Sequence, residues 1–572
     1  MALNLVRNAK VFFTTNTDTA GTVQGASTSP FSTNNTFEIQ VLEGLSFSQN
    51  TNTETVTVSE SGGTPTRGQR TFNTSLAPVD FSFSTYIRPK DIGGNVTAEE
   101  SFLWNALLSN KPISTAIAGS VTAATYTTSS SQLVLTTSGA ATLVAGEIVR
   151  LSGITGTTAA VTELNGEYRV VSQAGNTLTL FAIDPHTADV ADANITKTNI
   201  KFEKINAVYL QLTGTITATY TTATNRLLIS ATTLAAPGVA ANDIVTINGL
   251  VATVGQDKLN GAAKVITVNG TSIELELVRP FTTATTITAP TTNSIRLTES
   301  AWSYLGGETT LITTASSDTN VLQSFGLLFL VDNVMYAIDK AVLTQATVDF
   351  GLDGITAIQW TGQASAMREF DSGITYSAGV FTNGNTNFLG STARALPKVT
   401  DSEYLVNKLT AATLTPLVAL GDITTSDTFP IALTGGSITI NNNVTYLTPA
   451  LLGTVNSPAT YFTGTRSITG TMNAYLRTGA SASPRDIGYL LKNMLAQASS
   501  TVEPKFSLAI NLGGATGTRV ELSMPTTVIG IPAVDVQQIV SATINFTAQG
   551  YDVATSTYDL TKANDLEIRY YA

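Results

Sequence analysis

The sequence predicts a mainly β fold: two tandem copies of one sandwich- or barrel-forming unit with a short α-helix each, the first copy interrupted by two small all-β modules. Three observations predict it. Only 12% of residues are charged, and threonine, alanine, glycine and valine are prominent, a composition that favours many strands joined by tight turns. From Val79 to Ile87 the larger residues Val79, Phe81, Phe83, Thr85 and Ile87 alternate with Asp80, Ser82 and Ser84, the period of a strand with one buried and one wet face. A strand followed by a helix then returns at Ser467–Arg477, where Tyr475-Leu476-Arg477 repeats Tyr86-Ile87-Arg88.

In chain order, residues 3–15 form a first strand, followed by a turn-rich run from Asn16 to Asn35. Phe37 to Asn50 makes a second strand, and Phe37–Gly44 reads against Phe429–Gly436 at a constant offset of 392. Glu60–Pro65 is a loop by its turn chemistry, and Arg67 and Arg70 lie on a loop ahead of the 79–87 strand. Pro89 stops that strand, and Thr97-Ala-Glu-Glu100 opens a helix over Glu99–Asn110 with a capping box. Leu103, Ala106 and Leu107 share one helical face, and the positive helix N-terminus accounts for Glu99 and Glu100.

After Lys111 the character changes. Between Ile113 and Leu297 lie two copies of another module, about 95 residues apart. Ala124–Thr128 answers Ala218–Thr222, Gln132–Leu135 answers Arg226–Ile229, and Ile148–Ile154 answers Ile244–Leu250. Leu164-Asn-Gly166 answers Leu259-Asn-Gly261, and Asn176–Leu180 answers Thr271–Leu275. Each copy has about five short strands and an Asn-Gly turn, which suggests a small barrel or sandwich.

The interrupted unit resumes near Ser300, with strands at Leu322–Asp332, Val334–Asp339 and Ala346–Phe350, and Ile355–Gly362 closes it. Gln363 to Pro397 reads as a linker. In the second copy Ser483 is the N-cap, Pro484 the first helical residue and Asp486 a first-turn acid, ahead of the stripe Ile487, Leu490, Leu491, Met494 and Leu495. The last long strand, Ser541–Gln549, echoes Ala357–Gln363. The expected units are 1–112 and 298–366 for the first copy, 113–205 and 206–297 for the modules, 367–399 for the linker and 400–572 for the second copy.

The absence of cysteine excludes disulfides and thiolate metal sites. Met1–Arg7 has no apolar signal core, and Phe325–Val331, the longest apolar run, is far short of a membrane span, so a soluble, non-exported chain is expected. The sole histidine, His186, cannot build a multi-histidine metal site, and a surface-loop role is favoured. Gly513–Arg519 resembles a phosphate-binding loop but lacks its Gly-Lys-Ser/Thr ending and leads into an alternating strand, so a hairpin is expected. Asp349 and Asp353 flank Phe350-Gly-Leu, where a turn with solvated carboxylates outweighs a general acid–base pair. No catalytic, metal or cofactor-binding residue is predicted, and no enzyme activity.

Several distinctive runs are spread through both copies: Leu5–Phe12, Pro65–Phe72, Phe83–Ile87, Leu103–Ser109, Trp302–Tyr304, Ile358–Gly362, Asn407–Thr410 and, carrying most weight, Ile440–Pro449. Together they resemble the major tail tube protein of T-five-like long-tailed (siphovirus) bacteriophages. The resemblance covers nearly everything but Ile113–Leu297. It implies two fused tail-tube domains per chain, three chains in a pseudo-sixfold ring, and rings stacked into the hollow tail tube through which the phage genome passes. It further implies self-association, contacts with tape measure, tail terminator and baseplate proteins, double-stranded DNA moving through the lumen without specific binding, and residence in the virion rather than a membrane. The duplicated insert departs from the family pattern and is expected to decorate the outside.

Charge fits that expectation. Residues 113–297 carry 11 acidic and 10 basic side chains, leaving 30 acidic and 20 basic for the rest of a chain with net charge −11. An acidic wall would repel phosphates and let DNA slide, although acidity also serves plain solubility. Arg67 and Arg70 are candidates for ion pairs between rings, against simple solvation. The alternative class is a secreted surface-layer or adhesin-type β protein, which shares the composition but should carry an export signal. A glycan-cleaving tail enzyme would need a carboxylate constellation, and none stands out.

Overall fold

The computed structural model describes residues 10–571 apart from interspersed segments, the longest being 25–35, 59–67, 249–258, 278–284, 289–295, 314–321, 383–405, 499–504 and 559–564. Numbering only the strands outside the insert that matter below, the first copy has β1 (Lys10–Thr14), β2 (Thr36–Ile39), β3 (Ser46–Val58), β4 (Gly68–Tyr86) and helix α1 (Ser101–Leu107). After the insert follow β5 (Phe325–Val331), β6 (Val334–Gly351), β7 (Ala357–Ala364) and β8 (Ala366–Ser372). The second copy has β9 (Thr410–Pro416), β10 (Phe429–Ile431), β11 (Leu433–Asn441), β12 (Ser467–Tyr475) and α2 (Ile487–Gln497). It ends with β13 (Lys505–Leu512), β14 (Arg519–Ile529), β15 (Ala533–Asp535), β16 (Ser541–Ala548) and β17 (Glu567–Tyr571).

The strand β6 holds the copies together because it is long enough to serve two sheets. Residues Val342–Asp349 pair with β7 on one side, and Gln345–Gly351 pair with β11 of the second copy on the other. The result is one antiparallel sheet of eight positions, in the order β3, β4, β7, β6, β11, β12, β16, β15. The first half of β6 lies instead between β5 and β8, in a second layer β2–β1–β5–β6–β8. The second copy repeats this arrangement as β10–β9–β13–β14–β17. Its outer edge continues into the strand Thr309–Thr313 of the first copy, which pairs with β17.

A single apolar core runs through both copies, filled by the inward face of the eight-position sheet and by both helices. Trp104 of α1 packs edge-on against Trp360 of β7, with ring centroids 4.9 Å apart. The C-terminal end of α1 is held by the second copy, where Asn442 Nδ2 donates to Leu107 O at 2.7 Å, satisfying one of the carbonyls that a helix end leaves open.

Several expectations need correction. Phe37–Asn50 is two strands, β2 and β3, and Val334–Asp339 with Ala346–Phe350 is one. The offset of 392 holds in β2 and β10 but drops to 391 between β3 and β11: Ser46 faces Ser82 where Ser437 faces Thr471, and β4 and β12 are themselves 389 apart. The first copy thus has one residue more between β2 and β3. The sheet reaches past Gln363, since β8 pairs with β6, so a linker cannot start there. No capping box forms. Thr97 belongs to a strand, Val96–Ala98, and Glu100 is the N-cap of α1 without a side-chain cap bond. Asp486, not Ser483, is the N-cap of α2, and Ser483 lies outside the described residues.

Residues 112–205 form a seven-stranded sheet and residues 208–298 an eight-stranded one, each with its own core. Seven strands follow the same order in both, and the same β-bulge recurs at Val170/Ser172 and at Val265/Thr267, 95 residues apart. Bulges are structural features rather than accidents, so the shared one supports duplication.

Candidate functional surface

Strict alternation in the eight-position sheet separates two faces. One row of the inner face runs Phe83, Trp360, Ala346, Ile440, Ile468, Ala548, and the next Thr85, Ile358, Val348, Ile438, Gly470, Phe546. All of these but Gly470 are buried, and Thr85 satisfies its hydroxyl by accepting from Trp360 Nε1 at 2.9 Å. Where two large rings would collide, the sequence pairs phenylalanine with glycine. Phe81 faces Gly362 in the first copy, and in the second the order is exchanged, with Gly470 facing Phe546. A Cβ on Gly362 would stand 2.1 Å from Phe81 Cζ, and one on Gly470 2.3 Å from Phe546 Cζ.

The opposite face is mostly polar. Its rows run Tyr86, Ala357, Asp349, Ser437, Thr471, Asn545; then Ser84, Gln359, Thr347, Thr439, Thr469, Thr547; then Ser46, Ser82, Thr361, Gln345, Asn441, Ser467. Neighbouring rows add Asp80 opposite Gln363, and Asp535 opposite Ser541. The side chains knit into a short-range network: Ser46 and Ser82 hydroxyls lie 2.8 Å apart, Thr347 and Thr439 hydroxyls 3.3 Å apart, and Gln363 Nε2 donates to Asp80 at 3.0 Å. Asp80, Asp349 and Asp535 are exposed, and none of these face positions holds a lysine or arginine. The surface is a hydroxyl- and amide-rich plane with scattered negative charge. It offers an anionic polymer weak hydrogen bonding and no cation to bind its phosphates.

Behind this sheet, Glu100 is buried beneath β17. Tyr570 Oη donates to Glu100 Oε1 at 2.5 Å and accepts from Trp104 Nε1 at 2.8 Å, tying the first copy to the second. Burial pushes the Glu100 carboxyl up to about 7, against the lowering pull of the Tyr570 hydrogen bond and the Arg88 charge. The same burial raises the Tyr570 hydroxyl.

The sequence placed some of these residues differently. Glu100 does stand at the helix N-terminus, but the terminus alone does not explain it, because it is a buried partner of Tyr570; Glu99 lies outside the described residues. Asp349 sits within β6 on the polar face, not in a turn, and Asp353 is outside the described residues. Arg70 is an exposed residue of β4 rather than of a loop; Arg67 and Glu60–Pro65 are outside the described residues. His186 is half-buried between two tyrosines, its Nε2 2.7 Å from Tyr168 Oη and its backbone N–H donating to Tyr126 Oη. Gly513 and Gly514, both with positive φ, follow β13 in the β13–β14 hairpin, as expected. The alternation of Gln345, Thr347 and Asp349 with Ala346, Val348 and Phe350 was the missed signal for the polar face of β6. Among the described residues no cluster of three or more His, Cys, Asp or Glu could hold a metal, and no helix is long and apolar enough to cross a membrane.

No protein-family model matches the chain. Among curated proteins it is similar to "Tail tube protein pb6" of Escherichia phage T5, 26% identical over 253 residues. That match covers 41% of this chain and 49% of the relative, so the chain spans about half the length of the curated protein it matches. The likeness to tail tube proteins of T5-type phages that the residues themselves carry is borne out by this match.

Proposed function

We propose that the chain is a structural, non-enzymatic subunit of a phage tail tube, and that three copies close into a ring whose inner wall is the polar face of the eight-position sheet. One observation carries the reading: a sheet continuous across both copies, apolar on one side and, in the rows named above, free of lysine and arginine on the other. Three such sheets make a barrel of 24 strands. At ~4.8 Å per strand and a tilt of ~35–45°, its backbone diameter is about 45–50 Å, and side chains leave roughly 35–40 Å free. That passes a DNA duplex. A single chain cannot enclose it, and closure removes the open edges that otherwise invite aggregation.

On this reading the rings stack into the virion tail, the insert modules of residues 113–205 and 206–297 face outward, and DNA crosses the bore without specific binding. Tape measure, terminator and baseplate proteins are the expected tail partners. Purified protein, concentrated and viewed by negative-stain electron microscopy, tests the reading. Hollow filaments with stacked rings support it; a monodisperse monomer under all conditions, with the protein absent from virion tails, refutes it.

A further inference from the structure

The joint between the copies carries a template for the joint between chains. Within the chain Thr347 lies opposite Thr439 and Val348 opposite Ile438. Each has a counterpart defined by shared ladder partners. Val348 faces Ile358 of β7 as Val534 faces Ala542 of β16, and Ile438 faces Gly470 of β12 as Phe47 faces Phe81 of β4. The counterparts differ in exposure. Val348 is 2% exposed and Val534 42%; two residues on, Phe350 is 3% exposed and Val536 78%. The helices differ the same way: Phe102–Leu108 in and just after α1 are buried, with Trp104 and the Leu107 carbonyl hydrogen-bonded to the second copy, whereas Leu495 of α2 is 57% exposed. Apolar groups covered inside the chain have uncovered counterparts at its far end. Among the described residues no strand pairs with β3 other than β4, or with β15 other than β16.

We infer that the β15 edge of one chain joins the β3 edge of a second copy in the register of the β6–β11 joint, with Val534 opposite Phe47 and Ala533 opposite Ser48. This register keeps the faces continuous: Val534 and Phe47 go to the core side, Ala533 and Ser48 to the polar side. A shift of one residue would turn Val534 into the bore. The inference rests on the ring reading above and adds which edges meet and where.

The chain's lack of cysteine makes the test direct. Directly opposed residues of an antiparallel pair have Cα atoms about 4.5–5.5 Å apart, within disulfide reach, whereas a shift of two residues adds roughly 6.8 Å along the strand. Chains carrying Ser48→Cys and Ala533→Cys are mixed, assembled and oxidised with copper phenanthroline, then run on a non-reducing gel. Covalent dimers from the mixture, at least tenfold fewer from Ser46→Cys with Ala533→Cys, and closed trimers from the Ser48→Cys/Ala533→Cys double variant are expected. Normal tubes in the microscope with no 48–533 dimer, or with 46–533 preferred, overturn the register while leaving the ring intact. Absence of rings from the unmodified protein overturns both. Reading the β15–β3 pairing from a reconstruction of unmodified filaments settles the matter should either cysteine chain fail to fold.

Discussion

Glu100 shows how one buried carboxyl makes the fold sensitive to pH. Its carboxyl titrates near 7 in the folded chain against an ordinary 4.5, so between those values the folded state holds the proton more tightly than the unfolded one. Stability contributed by the protonated group is therefore fully present below about pH 4.5 and is lost as pH rises through 7, by on the order of 3 kcal/mol. Urea midpoints of the wild type relative to Glu100→Gln should fall between pH 5 and 8; a difference flat across that range would contradict the burial of this charge. Gly362 offers a second residue-level test. Gly362→Ala places a Cβ 2.1 Å from Phe81 Cζ and 2.6 Å from the Val342 carbonyl, and should destabilise by ~1–3 kcal/mol in denaturant melts. Adding Phe81→Leu should recover part of that loss, because the two sites share one space.

At the scale of the element, β6 and β15 hold equivalent places in the two copies but in different surroundings. Val348→Asp buries an unpaired carboxylate between β7 and β11 and should cost more than about 3 kcal/mol of folding stability. Val534→Asp, on an edge already 42% exposed, should leave the melt of the free chain within ~0.5 kcal/mol and abolish assembly, as light scattering would show. Equal effects of the two on the free chain would mean that the edges are not counterparts. Elements such as the 79–87 strand, the duplication of the modules and both helices were legible in the sequence because their periodicities are local. What escaped was non-local. The union of Val334–Gly351 into one strand depends on four different neighbours, and the burial of Glu100 depends on Tyr570, 470 residues away. The polar face could be foreseen strand by strand, but its continuity through the β6–β11 pairing could not.

For the whole molecule, an acidic chain presents a polar sheet face whose named rows hold no lysine or arginine. Replacing Asp80, Asp349 and Asp535 by lysine should raise the affinity of assembled tubes for DNA, with that affinity falling steeply as salt rises. Fluorescence anisotropy of a short duplex with assembled tubes would show it, and unchanged binding would place these residues away from the bore. The measurement that bears most directly on the central claim is a cryo-EM reconstruction of the assembled filament. A threefold ring with a 24-strand inner wall, Asp349, Thr347 and Thr439 pointing into the bore, is the predicted result. A solid shaft, a wall without threefold repetition, or a bore lined by the insert modules would contradict it.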